Sequence, residues 1–373
     1  MKNIYYFYII LVIIIIILLL ILVCRKPADT STKISGPLKY YRCDNKELGQ
    51  ITKNVFDTYN IEKDNANWNV YVPCGYNQVE SELLDIKIMN KVKNKFIFGI
   101  NGCDSIVSKN NIWDSLVKCY GRQEAKMLMP ETYILNNSND MDLFKREYNP
   151  NNIYILKKNV QRKEGLKLTK DYSEIMDAKK DNYKVVQNYV RDLYLVNGRK
   201  VNLRIYLLIM IKDGNVQFYV SKVGKCIYTK KTYDDNDLDF ESNITSYHLD
   251  LSVYKENPRD FDDLRKYIGS DILFKRIDGI LQKICYCLSK NLYQSENIMK
   301  MTSFQLFGID VIFTKNLQPY LLEMNKGPDM APKDKADEKM KYKVQDDMFK
   351  KVGIIEDSPD NSFYLIYERK KYI

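Results

Sequence analysis

Phe307–Met330 reads FGIDVIFTKNLQPYLLEMNKGPDM, and the reading of this stretch decides the fold. Asp310 sits in one apolar run, and thirteen residues later Glu323 and Asn325 sit in another. Unpaired charge among Ile, Val, Phe and Leu is costly, so these acids need a reason to be there. Taken as a hairpin with residues 315–318 (KNLQ) as its loop, symmetric pairing sets Asp310 directly opposite Glu323. Asn325, two residues on, shares that face because strand side chains alternate. Like charges directly opposed destabilise a sheet. A divalent cation compensates them, and oxygen donors from Asp, Glu and Asn suit Mg2+, which also keeps waters and nucleotide phosphates. Solvation of the face, or a neighbouring Lys or Arg, would compensate them as well.

Working outward, YILKKNVQRKEGLKLT places Lys157 or Lys158 at a strand end before a basic turn containing Gly165. A lysine there meets a phosphate as a point charge, although an ordinary hairpin turn reads the same way. VVQNYVRDLYLVNGRKVNLRIYLL carries an apolar strand into Gln187, Asn188 and Tyr189 and returns through Arg199. In the returning strand Lys200, Asn202 and Arg204 share one face, and Val201, Leu203 and Ile205 the other. That polar face either lines a site or lies in water.

Around this block the strands NIYILKK, GLKLTK, YKVVQNYV, KVNLRIYLLIMI and VQFYVSKVG follow one another. Helical spacing then appears in FDDLRKYIGSDILFKRIDGILQKICYCLSK, and KDKADEKMKYKVQDDMFKKVG closes on Gly353. Strands, helix, hairpin, helix predicts an α+β fold. Neither GxGxxG nor GxxxxGK[ST] occurs, so the two commonest phosphate loops are excluded. The expected divisions are 1–24 an anchor, 25–40 a tether, 41–150 an N-terminal α/β domain, 151–215 a central lobe, 216–357 a C-terminal lobe and 358–373 a tail.

The chain has 373 residues, 58 Lys+Arg against 48 Asp+Glu and a net charge of +10. The excess suits an anionic partner; it is spread along the chain, so nucleic acid is not expected. One His (His248) makes a Ser/His/Asp or Cys/His triad a poor expectation. Eight cysteines without a CxxC pair read mostly as reduced core thiols rather than a disulfide framework. Ile4–Val23 is an unbroken run of twenty apolar or aromatic residues, long enough for a single-pass transmembrane helix. Arg25 and Lys26, with Lys33, Lys39 and Arg42, tip the expected orientation toward a cytosolic catalytic region at the membrane.

Together these segments, in order, resemble the tubulin–tyrosine ligase-like family over roughly residues 95–355. LMPETYIL is similar to its Pro-x-Thr-Tyr segment, and YILKK to its strand bearing the nucleotide lysine. VVQNYV is similar to the strand that holds adenine, GRKVNLRIYLL to the Lys-Phe-Asp-x-Arg strand, and FQLFGIDVIF…PYLLEMNKGP to the metal hairpin. The resemblance implies an ATP-grasp fold behind the anchor. It also implies an ATP- and Mg2+-dependent ligase joining a free amino acid to a carboxylate of a protein acceptor with an acidic tail, tubulin being the usual one, through an acyl-phosphate. Carried over, Lys157 contacts the α/β phosphates and Lys109 is a second phosphate contact. Gln187 and the backbone of Tyr189 and Val190 recognise adenine. Lys200 and Asn202 reach ribose and substrate, Arg204 the γ-phosphate or acyl-phosphate, and Asp310, Glu323 and Asn325 hold Mg2+.

The chain departs from the pattern at three places. The family's Lys-x-Gly-x-x-Arg-Phe is KVGKCIY here, so Ile227 stands at the arginine position, with Lys225 or Lys230 as the replacements in reach. Its His-Leu-Thr-Asn reads NITSY, leaving Thr245 and Ser246, and its Lys-Phe-Asp aspartate is Asn202. Two other readings stay open: a ligase with a small-molecule acceptor, and a binding protein that kept the fold without catalysis.

Overall fold

The strand of alternating character is also the centre of the molecule. The computed structural model describes residues 37–371, apart from 44, 87–94, 161–164, 235 and 246–249. The strands run β1 (Lys39–Tyr41), β2 (Glu62–Lys63), β3 (Val70–Tyr71), β4 (Phe96–Phe98), β5 (Thr132–Ile134), β6 (Tyr154–Lys157) and β7 (Leu166–Thr169). They continue as β8 (Val185–Asn188), β9 (Leu195–Val196), β10 (Arg199–Lys212), β11 (Asn215–Tyr228), β12 (Thr302–Phe313), β13 (Pro319–Asn325) and β14 (Phe363–Arg369). Ten of them form one sheet in the order β14-β11-β10-β12-β4-β3-β1-β2, with β13 on β12 and β9 on β10. β5-β8-β6-β7 form a second, antiparallel sheet of four. The result is a mixed α/β, sheet-rich body, and Pro37 onward is one compact unit.

β10 shows how the sequence places itself. Its outer half alternates, RKVNLR, and its inner half, IYLLIMI, is apolar without a break. The inner half lies between β11 and β12 with both faces covered, as a central strand requires. Leu207, Leu208, Ile209, Phe218, Phe304 and Phe307 are wholly buried there, each such side chain contributing about 1.5–3 kcal/mol. The helix Ile272–Ser289 buries Leu273, Ile277, Leu281, Ile284 and Leu288 at helical spacing. The helix Lys335–Val352 starts at Asp334, whose carboxylate accepts from the Asp337 N–H, and stops at Gly353 (φ 90°), a left-handed position suited to glycine.

The opening hairpin forms, by a different route from the symmetric one. The loop is one residue shorter, because Phe313 pairs Pro319 and the Thr314 N–H donates to the Gln318 carbonyl. A bulge between Asp310 and Val311 then absorbs one extra residue of β13 and restores Asp310 opposite Glu323. Asn325 pairs Gly308.

Three expectations are corrected. Cys43 and Cys74 form a disulfide; they follow β1 and β3, whose parallel register pairs Tyr41 with Tyr71 and so delivers both cysteines to one place. Residues 358–373, expected as a tail, contain β14, which extends the large sheet beside β11. The membrane localisation is withdrawn: no helix among the described residues is long and apolar enough to cross a membrane. Ile4–Val23, the basis of that expectation, lies outside the described residues, as does Ser246.

Candidate functional site

A cavity of about 630 Å³ opens between the two sheets. Its small-sheet wall carries Lys157, Gln187 and Asn188, and Tyr189 and Val190 follow β8 into it. Lys200, Asn202, Arg204 and Ile227 come from the large sheet, Asp310, Glu323 and Asn325 from the hairpin. Lys109, at the start of the helix Lys109–Ala125, and Thr245 complete the residues expected from sequence. All of them except Ser246, which is not described, line one space. Lys158 points elsewhere, its ammonium 4.8 Å from the Tyr183 ring centroid.

The cations divide into two kinds. Arg204 lies opposite Asp310 in the β10–β12 register and grips it twice, Nε to Oδ1 at 2.6 Å and Nη2 to Oδ2 at 3.1 Å. Gly308 leaves the room for this, since a Cβ there would meet Arg204 Cδ at 3.3 Å and Pro328 Cβ at 3.1 Å. Burial pulls the Arg204 guanidinium down, but the Asp310 carboxylate outweighs it and holds it above its ordinary value. Lys109 Nζ lies 4.0 Å from Glu323 Oε2.

Lys157 and Lys200 are different. Both are about nineteen-twentieths buried, and neither forms an ion pair with a carboxylate among the described residues. Lys157 Nζ donates only to the Leu322 carbonyl, at 3.4 Å. Lys200 Nζ donates to the Tyr189 hydroxyl and the Asn243 carbonyl, both at 2.9 Å, and sits 4.4 Å from the Tyr189 ring centroid. Burial pushes Lys157 down to about 8, against the opposing pull of Glu323. Burial, and repulsion from Lys157, push Lys200 down to about 7. Two ammonium groups held so far below their usual range mark a place prepared for negative charge that the protein itself does not supply.

The acids and amides complete the chemistry. Burial lifts the Asp310 carboxyl above the usual range despite Arg204, and the facing Glu323 adds to it. Burial would lift Glu323 as well, but Lys109, the Asn325 side-chain bond and Lys157 together hold it low. Asn325 Nδ2 donates to Glu323 Oε1 at 3.0 Å, leaving its own oxygen for another partner. Asn202 Nδ2 donates to Thr245 Oγ1 at 2.9 Å. The Oδ1 atoms of Asn202 and Asn188 are buried without a protein partner, so the wall holds acceptors meant for a ligand. Gln187 Nε2 is bound to Thr132 Oγ1 (2.7 Å) and Pro130 O (3.3 Å), which leaves its carbonyl oxygen free to accept.

Neither replacement for the missing arginine reaches this space. Ile227 pairs Asn202 and presents an apolar side chain to the cavity. Lys225 turns to Asp337 at 3.0 Å, and Lys230 to Glu241 at 2.7 Å. Sequence reasoning missed Asn243, wholly buried, whose Nδ2 bonds the Asp237 and Asp239 carbonyls while its own carbonyl holds Lys200. It missed Asp329 in the cavity wall as well. Asn243 stands inside NITSY, but nothing in that string points to Lys200, 43 positions away.

A buried, lysine-lined cavity between two sheets, facing paired acids on a hairpin, defines a site for a polyanion with a hard cation. The sequence profile of the Tubulin-tyrosine ligase family matches residues 93–361. The chain belongs to that family, and its sheet-rich α/β body fits the family's fold. Probable tubulin polyglutamylase ttll-9 of Caenorhabditis elegans is 24% identical over 247 residues, 61% of this chain and 58% of its own. Probable tubulin polyglutamylase TTLL9 of Mus musculus is 26% identical over 192 residues, 46% and 38% respectively. Tubulin glycylase 3B of Tetrahymena thermophila is 23% identical over 241 residues, 59% and 20%. The chain thus spans about a fifth to three fifths of the length of these relatives.

Proposed function

We propose that this chain is an ATP-grasp ligase that uses ATP and Mg2+ to join an amino acid to a carboxylate on the acidic tail of a protein acceptor, tubulin being the acceptor its relatives' names give. The observation that carries this reading is the pair of buried lysines, Lys157 and Lys200, without carboxylate partners in a cavity large enough for a nucleotide. The +10 net charge supports an acidic acceptor.

The residues present fit a magnesium ion. Asp310, Glu323 and Asn325 offer oxygen donors on adjacent strands, and two facing carboxylates are better tolerated beside a cation. When bound there, the ion supplies positive charge that offsets phosphate charge. The chain's own groups do the rest. Lys157 and Lys109 bind phosphate oxygens, and Gln187 with the Tyr189 and Val190 backbone orients adenine. Tyr189 and Asn243 hold Lys200 so that its ammonium, with Asn202 and Thr245, positions ribose and substrate. Arg204 steadies the phosphoryl group as it moves to the acceptor carboxylate, and the amine of the incoming amino acid then displaces phosphate to give the amide. Because Arg204 already grips Asp310, these two groups share the transferring end of the site.

Calorimetry on the full chain tests the reading. Magnesium-dependent ATP binding that is lost in Glu323→Ala and in Lys157→Ala is the expected result. No binding at millimolar ATP would overturn it.

A further inference from the structure

The helices Lys109–Ala125 and Ile272–Ser289 pack together away from the cavity. Their contact brings Cys119 and Cys287 within hydrogen-bonding reach of each other. The two thiols sit in unlike surroundings. Cys119 is half-buried, whereas Cys287 is 1% exposed. Lys290, one residue beyond the second helix, places its ammonium 3.6 Å from Cys119 Sγ and 4.7 Å from the Tyr286 ring centroid. Tyr120, next to Cys119, is tied to the same helix through its hydroxyl and the Lys283 carbonyl at 3.0 Å. The other free cysteines, Cys103, Cys226 and Cys285, are all buried.

A reachable thiol beside an ammonium, backed by a second thiol that solvent does not reach, is the arrangement of an attacking and a resolving cysteine. We propose that Cys119 and Cys287 form a reversible disulfide by exchange with a low-molecular-weight disulfide, clamping the two helices to each other. The Cys119 thiolate attacks one sulfur of the external disulfide, whose S–S bond breaks and releases one thiol. Cys287 then loses its proton and attacks Cys119 Sγ, expelling the second thiol and closing the internal bond. Two protein thiols are oxidised, one external disulfide is reduced to two thiols, and the two protons leave on those thiols. Burial pushes the Cys287 thiol up to about 12, so it stays protonated and does not compete for the first attack. The helix that begins with Lys109 is the one the clamp holds, so the bond fixes an element that borders the cavity.

The test is incubation of the full chain with oxidised glutathione, followed by alkylation, intact mass and peptide mapping. The expected result is a mass lower by two hydrogens and a linked Cys119–Cys287 peptide, both reversed by dithiothreitol. In Cys287→Ser the reaction stops at a glutathionyl adduct on Cys119, and in Cys119→Ser neither the adduct nor the link appears. Wild-type protein that keeps an adduct on Cys119 while Cys287 remains free, or that leaves Cys119 unreacted, overturns the proposal. The wild-type result decides the matter even where a variant folds poorly.

Discussion

Replacing Lys200 with Met should remove a proton from the thermodynamics of nucleotide binding. Lys200 lies at about 7 where an ordinary lysine lies at 10.5, and each pH unit is worth 1.36 kcal/mol, so charging it in the empty cavity is disfavoured by roughly 5 kcal/mol. At pH 8.5 the empty site therefore holds Lys200 neutral. A bound polyphosphate favours the ammonium, and binding then draws about one proton from the buffer. Lys157, at about 8, adds to the uptake. Titration calorimetry in two buffers of different ionisation enthalpy measures this number directly. The expected result at pH 8.5 is between about one and two protons taken up per nucleotide, falling by about one in Lys200→Met. Methionine keeps most of the apolar stem, so the contact with the Tyr189 ring survives. Binding enthalpies that do not depend on the buffer would refute the claim that these lysines are held neutral for an anion.

Three further outcomes follow. The empty chain should become more stable between pH 7 and pH 10, because across that window the unfolded state keeps the Lys200 proton and the folded state does not. Denaturant melts of wild type against Lys200→Met would show the slope flatten in the variant. Arg204→Ala should cost about 3–5 kcal/mol, since it leaves Asp310 buried without its partner. Adding Asp310→Asn should recover part of that loss, and a double-mutant cycle with no coupling would contradict the pairing. Phe307→Ala, in the centre of β12, should cost about 3–5 kcal/mol of stability by the same melts.

Much of this site was legible because its pattern is local. The period-two alternation in RKVNLR sets Lys200, Asn202 and Arg204 on one face regardless of the rest of the fold. The facing of Asp310 and Glu323 was read correctly although the loop was read one residue too long, because the bulge in β13 made up the difference. Contacts between distant segments were not legible. Arg204 meets Asp310 across 106 positions, and only the β10–β12 register decides which residue faces which. Asn243 and Tyr189 holding Lys200 is likewise a product of the closed fold. The Cys43–Cys74 bond depends on a parallel pairing of very short strands that carry little periodicity. β14, with its FYLIYER alternation, pairs with a strand more than a hundred positions earlier. Ile227 was legible as a departure, but the diversion of Lys225 to Asp337 was visible only in three dimensions.

The most direct measurement is transfer itself. The full chain is incubated with ATP, magnesium, tubulin and one labelled amino acid at a time, glutamate, glycine or tyrosine, and label in tubulin is counted beside ADP released. The account predicts ATP-dependent label in tubulin for one of these, matched by ADP and absent in Glu323→Ala. ATP bound and lost on mutation as expected, yet with no label entering tubulin or any acidic acceptor, would contradict it.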